Sequence, residues 1–233
     1  MSNFIDIHSH ILPGVDDGAQ NLSETLDMIR NLKKLGFQAS FCTSHQKEGS
    51  LNPTLETLKN VYNSVKEEIK DYKLFLGAEN YYDPQFAERI STQTIPTLGN
   101  SEYVLFEFNP LMPPLNFENV IFKLNAAGYT PILAHTERYE WLNLKTILKV
   151  KDSLLCQANI NNFNKHAASR SIYKRALKYM EHGIYDFLAT DLHYIQSFTY
   201  LEKSMSFIDK KFGRKILEQL LFENPSQILN SLS

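Results

Sequence analysis

The sequence predicts an α/β fold, an irregular seven-stranded (β/α) barrel. Three observations predict it. Short apolar runs alternate with segments of helical periodicity along the whole chain, the pattern of parallel strands joined by crossover helices. Six of the seven predicted strands run directly into His, Glu or Asp. Barrels of parallel strands build their sites at the C-terminal strand ends, whereas an open sheet needs only the two or three strands at its switch point. Ligand-type residues on nearly every strand therefore favour closure.

The first strand carries Phe4-Ile5 into Asp6-Ile7-His8-Ser9-His10. Period-two alternation puts His8 and His10 on one face, about 7 Å apart, where both imidazoles can turn onto one cation. The loop that follows contains Asp16 and Asp17. Asn21 and Glu24 have capping-box spacing at the head of a helix that Gly36 ends. The second strand, 37–42, closes with Thr43-Ser44-His45. Asn52-Pro53 is placed to cap a second helix, with Pro at its first position. Leu55, Leu58, Val61, Tyr62, Val65 and Ile69 form that helix's apolar stripe. The third strand, 74–78, ends in Glu79.

The pattern continues. A short helix is predicted over 84–90 and a strand over 103–106 runs into Glu107. A helix over 117–127 stops at Gly128, and a strand over 131–134 runs into His135. A helix over 142–150 precedes the strand 154–158, which ends in Asn159. A helix over 169–180 stops at Gly183, and the last strand, 187–190, runs into Asp191-Leu192-His193. Helices over 199–212 and 215–222 and a last one after Asn224-Pro225 complete the chain, read as one domain over 1–233.

Composition excludes several classes. With 43% hydrophobic and 21% charged residues, 233 residues can bury a sizeable core and are not disordered. A net charge of −2 leaves no electrostatic footprint for nucleic acid. Cys42 and Cys156 form no Cys-x-x-Cys pair and lie in or beside apolar runs, which suggests buried thiols in a reducing compartment. The lack of a signal peptide or of an apolar run near 18 residues points to a cytoplasmic protein without membrane insertion.

The candidate cluster is His8, His10, Asp17, His45, Glu79, Glu107, His135, Asp191 and His193. Each alone has a structural explanation, as a solvated strand end or a satisfied core histidine. Together they put four carboxylates at one mouth with Arg138 as the basic residue in the same stretch, a set that repels itself without cations. Five imidazoles and four carboxylates with no thiolate suit Mn, Fe or Zn. Arg138 can offer a bidentate fork to phosphate, or a salt bridge to Glu137. His166 and His182 are assigned to the surface, in helix-like stretches.

In order and at family-like spacing, the series resembles the polymerase-and-histidinol-phosphatase (PHP) superfamily of metal hydrolases. Within it, the chain is similar to the bacterial manganese-dependent protein tyrosine phosphatases of capsule and exopolysaccharide operons. The matching segments are DIHSHILPGVDDG over 6–18, TSH over 43–45, GAENYY over 77–82, FEF over 106–108, AHTERY over 134–139 and TDLH over 190–193.

The resemblance implies a PHP-type barrel and three divalent ions, Mn first, with Fe or Zn as alternatives. The first ion would sit on His8, His10, Glu79 and Asp191. Glu79 would bridge to a second held by Glu107 and His135. The third would take Asp17, His45 and His193. It further implies catalytic parts for Arg138, Asp17 and His193, with metal-activated hydroxide attacking phosphorus. The implied partner is a phosphotyrosyl protein, the tyrosine-rich tail of a membrane-anchored kinase. One departure stands out: relatives carry a phosphate-holding Arg soon after the Asp-x-His segment. Here Tyr194-Ile195-Gln196-Ser197-Phe198 follows, and the next basic residue is Lys203. A small-molecule phosphatase of the histidinol-phosphate type and a metal-binding interaction protein with little turnover are the alternatives. A generic metal-dependent amidohydrolase fits less well, because two strand-end glutamates and an Asp-x-His ending are not its pattern.

Overall fold

The computed structural model describes residues 3–49 and 51–232. Its strands are β1 (Phe4–Ser9), β2 (Phe37–Cys42), β3 (His45–Gln46), β4 (Lys73–Leu76), β5 (Glu79–Tyr81), β6 (Tyr103–Glu107), β7 (Thr130–Leu133), β8 (Leu155–Asn159) and β9 (Phe187–Ala189). All pairings between them are parallel. One section has the order β1-β2-β4 and the other β3-β5-β6-β7-β8-β9.

A continuous seven-stranded barrel is therefore not what the chain forms. The second strand spans 37–42 as expected, but after a break at Thr43-Ser44 a further short strand, β3, follows; the third ends at Leu76 rather than Ala78, and β5 follows after a break at Gly77-Ala78. The breaks lie side by side, because Gly77 N–H donates to Cys42 O at 2.9 Å and Glu79 N–H to Thr43 O at 3.2 Å. Gly77 permits this close approach: a Cβ there would lie 2.9 Å from Leu98 and 3.3 Å from Thr43. The result is a curled parallel sheet in two sections. Its first and last strands meet at their C-terminal ends through a Ser9–Leu192 bridge. There, Asp191 N–H donates to His8 O at 2.9 Å and His10 N–H to Leu192 O at 3.0 Å.

The helices that cover the sheet are α1 (Leu22–Lys34), α2 (Leu55–Glu68), α3 (Pro84–Thr92), α4 (Phe117–Ala126), α5 (Leu144–Val150), α6 (Arg170–Glu181), α7 (Phe198–Phe212), α8 (Arg214–Glu218) and α9 (Asn224–Asn230). Asn21 caps α1 by accepting from Glu24 N–H, and Glu24 reaches back to Gln20 N–H. The cap of α2 is Thr54, which accepts from Thr57 N–H, rather than Asn52. Thr54 is extended and its hydroxyl is in reach of the Thr57 N–H, so the helix starts at Leu55 and Pro53 lies before the cap. A π-turn, Gln219–Glu223, joins α8 to α9, so the two expected helices at the C-terminus run on without a break.

Two apolar clusters hold the layers. The larger packs helices onto the sheet; the smaller joins Ile5, Ile7, Phe41, Leu105, Ile132 and Phe187 to Ile228 of α9. Leu105 and Glu107 share a strand face, so the smaller cluster lies beneath the mouth that carries the acidic residues. Cys42 and Cys156 are buried free thiols. Among the described residues, no helix is long and apolar enough to cross a membrane.

A candidate metal centre at the strand ends

The nine candidate residues come together where the strands end. His8 Nε2 and His10 Nε2 face each other at 3.2 Å. Glu79 Oε2 lies 3.2 Å from the first and 3.3 Å from the second. Asp191 Oδ1 lies 3.3 and 3.5 Å from the same two nitrogens. These four residues make one potential cation site. His45, Glu79 and Glu107 make another, and His10, Asp17, His45 and His193 a third.

The grouping differs in detail from the expected one. His45 faces two groups: its Nδ1 lies 3.1 Å from Glu79 and 3.4 Å from Glu107, and its Nε2 lies 3.5 Å from Asp17. His135 Nε2 stands 2.9 Å from Glu79 and 3.5 Å from Glu107. Asp17 Oδ1 is 3.4 Å from His193 Nε2.

The donor set fits divalent cations. A metal bonded at about 2.1 Å spaces its ligands roughly 3.0–3.4 Å apart, the spacing found here. Two imidazole nitrogens turned toward each other and toward two carboxylates are better placed around a common cation than as hydrogen-bond partners. His45 Nδ1 is buried and, despite its short distance to Glu79, makes no hydrogen bond. Burial raises the Glu79 and Asp191 carboxyls, but the surrounding imidazoles outweigh it and hold both well below the usual range. His193 is shifted down as well. Burial, and then the charge of His10, whose ring stacks 3.9 Å away, push it below the usual imidazole value.

An outer layer fixes these side chains, and most of it was not apparent from sequence. His8 Nδ1 meets Gln157 Oε1 at 3.1 Å, which also accepts from His135 N–H at 2.9 Å. Gln157 Nε2 donates to Asn159 Oδ1, and Asn159 Nδ2 donates to Asp191 Oδ2 at 2.6 Å. Strand β8 thus has no ligand-type ending, yet it orients three candidate ligands. Asp16 Oδ2 meets His10 Nδ1 at 2.8 Å and accepts from His45 N–H at 3.1 Å. Such contacts set which ring nitrogen presents its lone pair. Asp6 anchors the last strand by accepting from the Thr190 hydroxyl and N–H. Burial raises its carboxyl to about 6, against the opposing Thr190 bonds. The only sequence signals were Asp16 beside Asp17 and two amides alternating at the end of a strand.

The backbone is also specialised. His135 and Asp191 have φ of 32° and 48°, left-handed values without glycine. Such conformations cost on the order of 1–3 kcal/mol and persist only where surroundings enforce them. Gly18 lies against His10, where any Cβ would meet His10 O at 2.0 Å, so the acidic loop can close over the histidines.

Arg138 lies in a 3₁₀ turn, Thr136–Arg138, after His135, with Nη1 3.5 Å from Asp191 Oδ2. It does not pair with Glu137. That carboxylate is buried and accepts from Asn159 N–H, Asn162 Nδ2 and the Tyr185 hydroxyl. Lys203 is exposed on α7. His166 and His182 are exposed; His166 sits in a turn and His182 just beyond the end of α6, where it meets Lys178 O.

A curled parallel α/β sheet with a cluster of His, Asp and Glu donors at its C-terminal edge is a hydrolase-like arrangement. The chain belongs to the CpsB/CapC family of capsular polysaccharide synthesis, whose model matches residues 4–230. It is 30% identical to tyrosine-protein phosphatase CpsB of Streptococcus pneumoniae over 240 residues, covering 97% of this chain and 98% of that protein. CpsB of Streptococcus agalactiae is 29% identical over 241 residues, with the same shares covered. A solved structure, from work on YwqE of Bacillus subtilis and CpsB of Streptococcus pneumoniae as metal-dependent tyrosine phosphatases, shares the fold. Its TM-score is 0.85 at 22% identity, covering 98% of this chain and 95% of that one.

Proposed function

We propose that this protein is a metal-dependent protein-tyrosine phosphatase of capsule or exopolysaccharide synthesis. Its site would hold three divalent cations, Mn in the first instance. His8, His10, Glu79 and Asp191 would hold one; Glu79, Glu107 and His135 a second; and Asp17, His45 and His193 a third. The observation that carries this reading is the convergence of five imidazoles and four carboxylates with no thiolate, in a chain of the CpsB/CapC family. Bound there, the cations would supply Lewis-acid activation of the phosphoryl group and of water.

The chain's own residues do the rest. Glu79, 1% exposed, lies among His8, His10, His45 and His135 and ties the groups together. Arg138 leaves its Asp191 contact at 3.5 Å to present its fork to phosphoryl oxygens. Asp17, 47% exposed, and His193, whose Nε2 lies 3.4 Å from it, would hold their cation at the solvent-facing side of the site, where substrate enters. The phenolate leaving group has a pKa near ~10 and so asks little of a general acid. The partner in this reading is a phosphotyrosyl protein, the tail of a membrane-anchored kinase.

The test compares hydrolysis of a phosphotyrosyl peptide, a phosphoseryl peptide and histidinol phosphate by Mn-loaded protein, with and without chelator. Preference for the first, abolished by chelation, supports the proposal. Preference for histidinol phosphate would move the chain to the small-molecule class, and no turnover of any of the three would leave a binding protein.

A further inference from the structure

We propose that Lys47 is a second substrate-binding cation of this site, held over the Tyr81 ring at the mouth to take the phosphate of an incoming monoester. This rests on the phosphatase reading above. The segment 194–198 after Asp191-Leu192-His193 supplies no basic residue, which leaves Arg138 to be joined by a cation from elsewhere in the fold. A dianionic phosphate approaching a carboxylate-lined mouth gains from a further positive group.

Lys47 is placed to provide it. In the register of β3 with β5, His45 pairs with Glu79 and Gln46 with Asn80. The middle residues turn away from the site. Gln46 donates to Pro53 O, and Asn80 donates to Pro96 O and Leu105 O. Alternation therefore returns Lys47 and Tyr81 to the face of His45 and Glu79, one step further out, about 7 Å along each strand. Tyr81 also pairs with Glu107 across β5 and β6. The Lys47 ammonium lies 4.4 Å from the centroid of the Tyr81 ring.

That ammonium has an aromatic face but no carboxylate within ion-pair distance among the described residues, although the site is rich in acids. The nearby acid Asp83 is already engaged: one oxygen accepts from Phe86 N–H to cap α3 and the other from Glu48 N–H. The Lys47 backbone is fixed as well, its N–H donating to Leu51 O at 2.9 Å. A ring holds a cation without neutralising it, so the charge stays available to an anion while the stem stays directed at the mouth. Lys47 is thus a substrate-binding residue, and Tyr81 is a positioning residue acting through it.

The experiment measures binding of inorganic phosphate to Mn-loaded protein by calorimetry, with metal content determined for every variant and KM and kcat for a phosphotyrosyl peptide alongside. Lys47→Met should weaken phosphate binding about 5–20-fold, the loss of one charge-assisted contact at a partly exposed site. KM should rise in parallel, with kcat within about twofold and metal content unchanged. Lys47→Arg should keep phosphate binding near wild type. Tyr81→Leu should weaken it severalfold and Tyr81→Phe, which keeps the ring, should restore it. Unchanged phosphate binding in metal-loaded Lys47→Met overturns the proposal, as does weaker binding that merely follows metal loss. If wild-type protein hydrolyses no phosphotyrosyl peptide but its phosphate binding depends on Lys47, the inference stands and the phosphatase reading falls. If hydrolysis proceeds and phosphate binding ignores Lys47, the inference alone falls.

Discussion

The floor and the rim of the mouth are built by different rules. On the floor, His8, His10, Glu79 and His135 are at most 2% exposed. Gln157, Asn159 and Asp16 orient the donors there by direct hydrogen bonds. At the rim, Asp17 and Arg138 are 47% and 42% exposed. Arg138 has one long ion pair, and Lys47 rests on a ring. A buried donor with a fixed partner has one usable geometry, and a half-exposed side chain has several. The floor therefore suits tight retention of cations, and the rim suits recognition of a substrate that comes and goes.

The sharpest way to break this division is at Glu79. Glu79→Gln keeps the shape and removes the charge, so it should lose both bound metal and nearly all phosphatase activity, while His182→Ala changes neither. Elemental analysis and turnover of the two variants check this; full metal and turnover in Glu79→Gln would remove the floor's central residue. Next in size is Arg138→Ala. Loss of one charge-stabilising donor should lower hydrolysis of a phosphotyrosyl peptide about 100-fold or more. Metal content should stay unchanged, because guanidinium has no lone pair to offer. Equal loss of metal and activity there would mean that floor and rim are not separate.

A smaller effect belongs to the outer layer. Gln157→Leu removes the acceptor shared by His8 Nδ1 and His135 N–H and should weaken metal binding about 10–100-fold, read by competition with a chelating dye. The smallest concerns the thiols. Burial pushes Cys156 up to about 12 and holds Cys42 well above its ordinary value. Neither should react with a thiol reagent at pH 8 until the protein unfolds. Rapid labelling of native protein would contradict the burial of both β2 and β8.

The floor was legible in the sequence because its donors are chemically distinctive and each follows an apolar run. The run 103–106 into Glu107 and the run 131–134 into His135 give position and chemistry at once. Glutamine and asparagine carry no comparable signal. Gln157 and Asn159 are recognisable only when β8 is seen beside β7 and β9. The strand breaks were hidden for the same reason: Gly77 matters because Leu98 and Thr43 crowd it, which is a tertiary fact. The cap of α2 is Thr54 rather than Asn52 because two cap-type residues flank Pro53 and it is the threonine hydroxyl that meets the N–H three residues on, at Thr57. Lys47 carries no signal in the linear sequence, because its relation to the site comes from the register of β3 with β5 and not from a place beside Asp191.

The most direct measurement is the metal content of protein prepared with Mn and without chelator, paired with hydrolysis of a phosphotyrosyl peptide before and after chelation. The expected result is close to three cations per chain. Chelation should abolish activity and lower the melting temperature, since ligands that bind the native state add to its stability. Mn should restore both. Undiminished hydrolysis by metal-free protein would contradict the central claim.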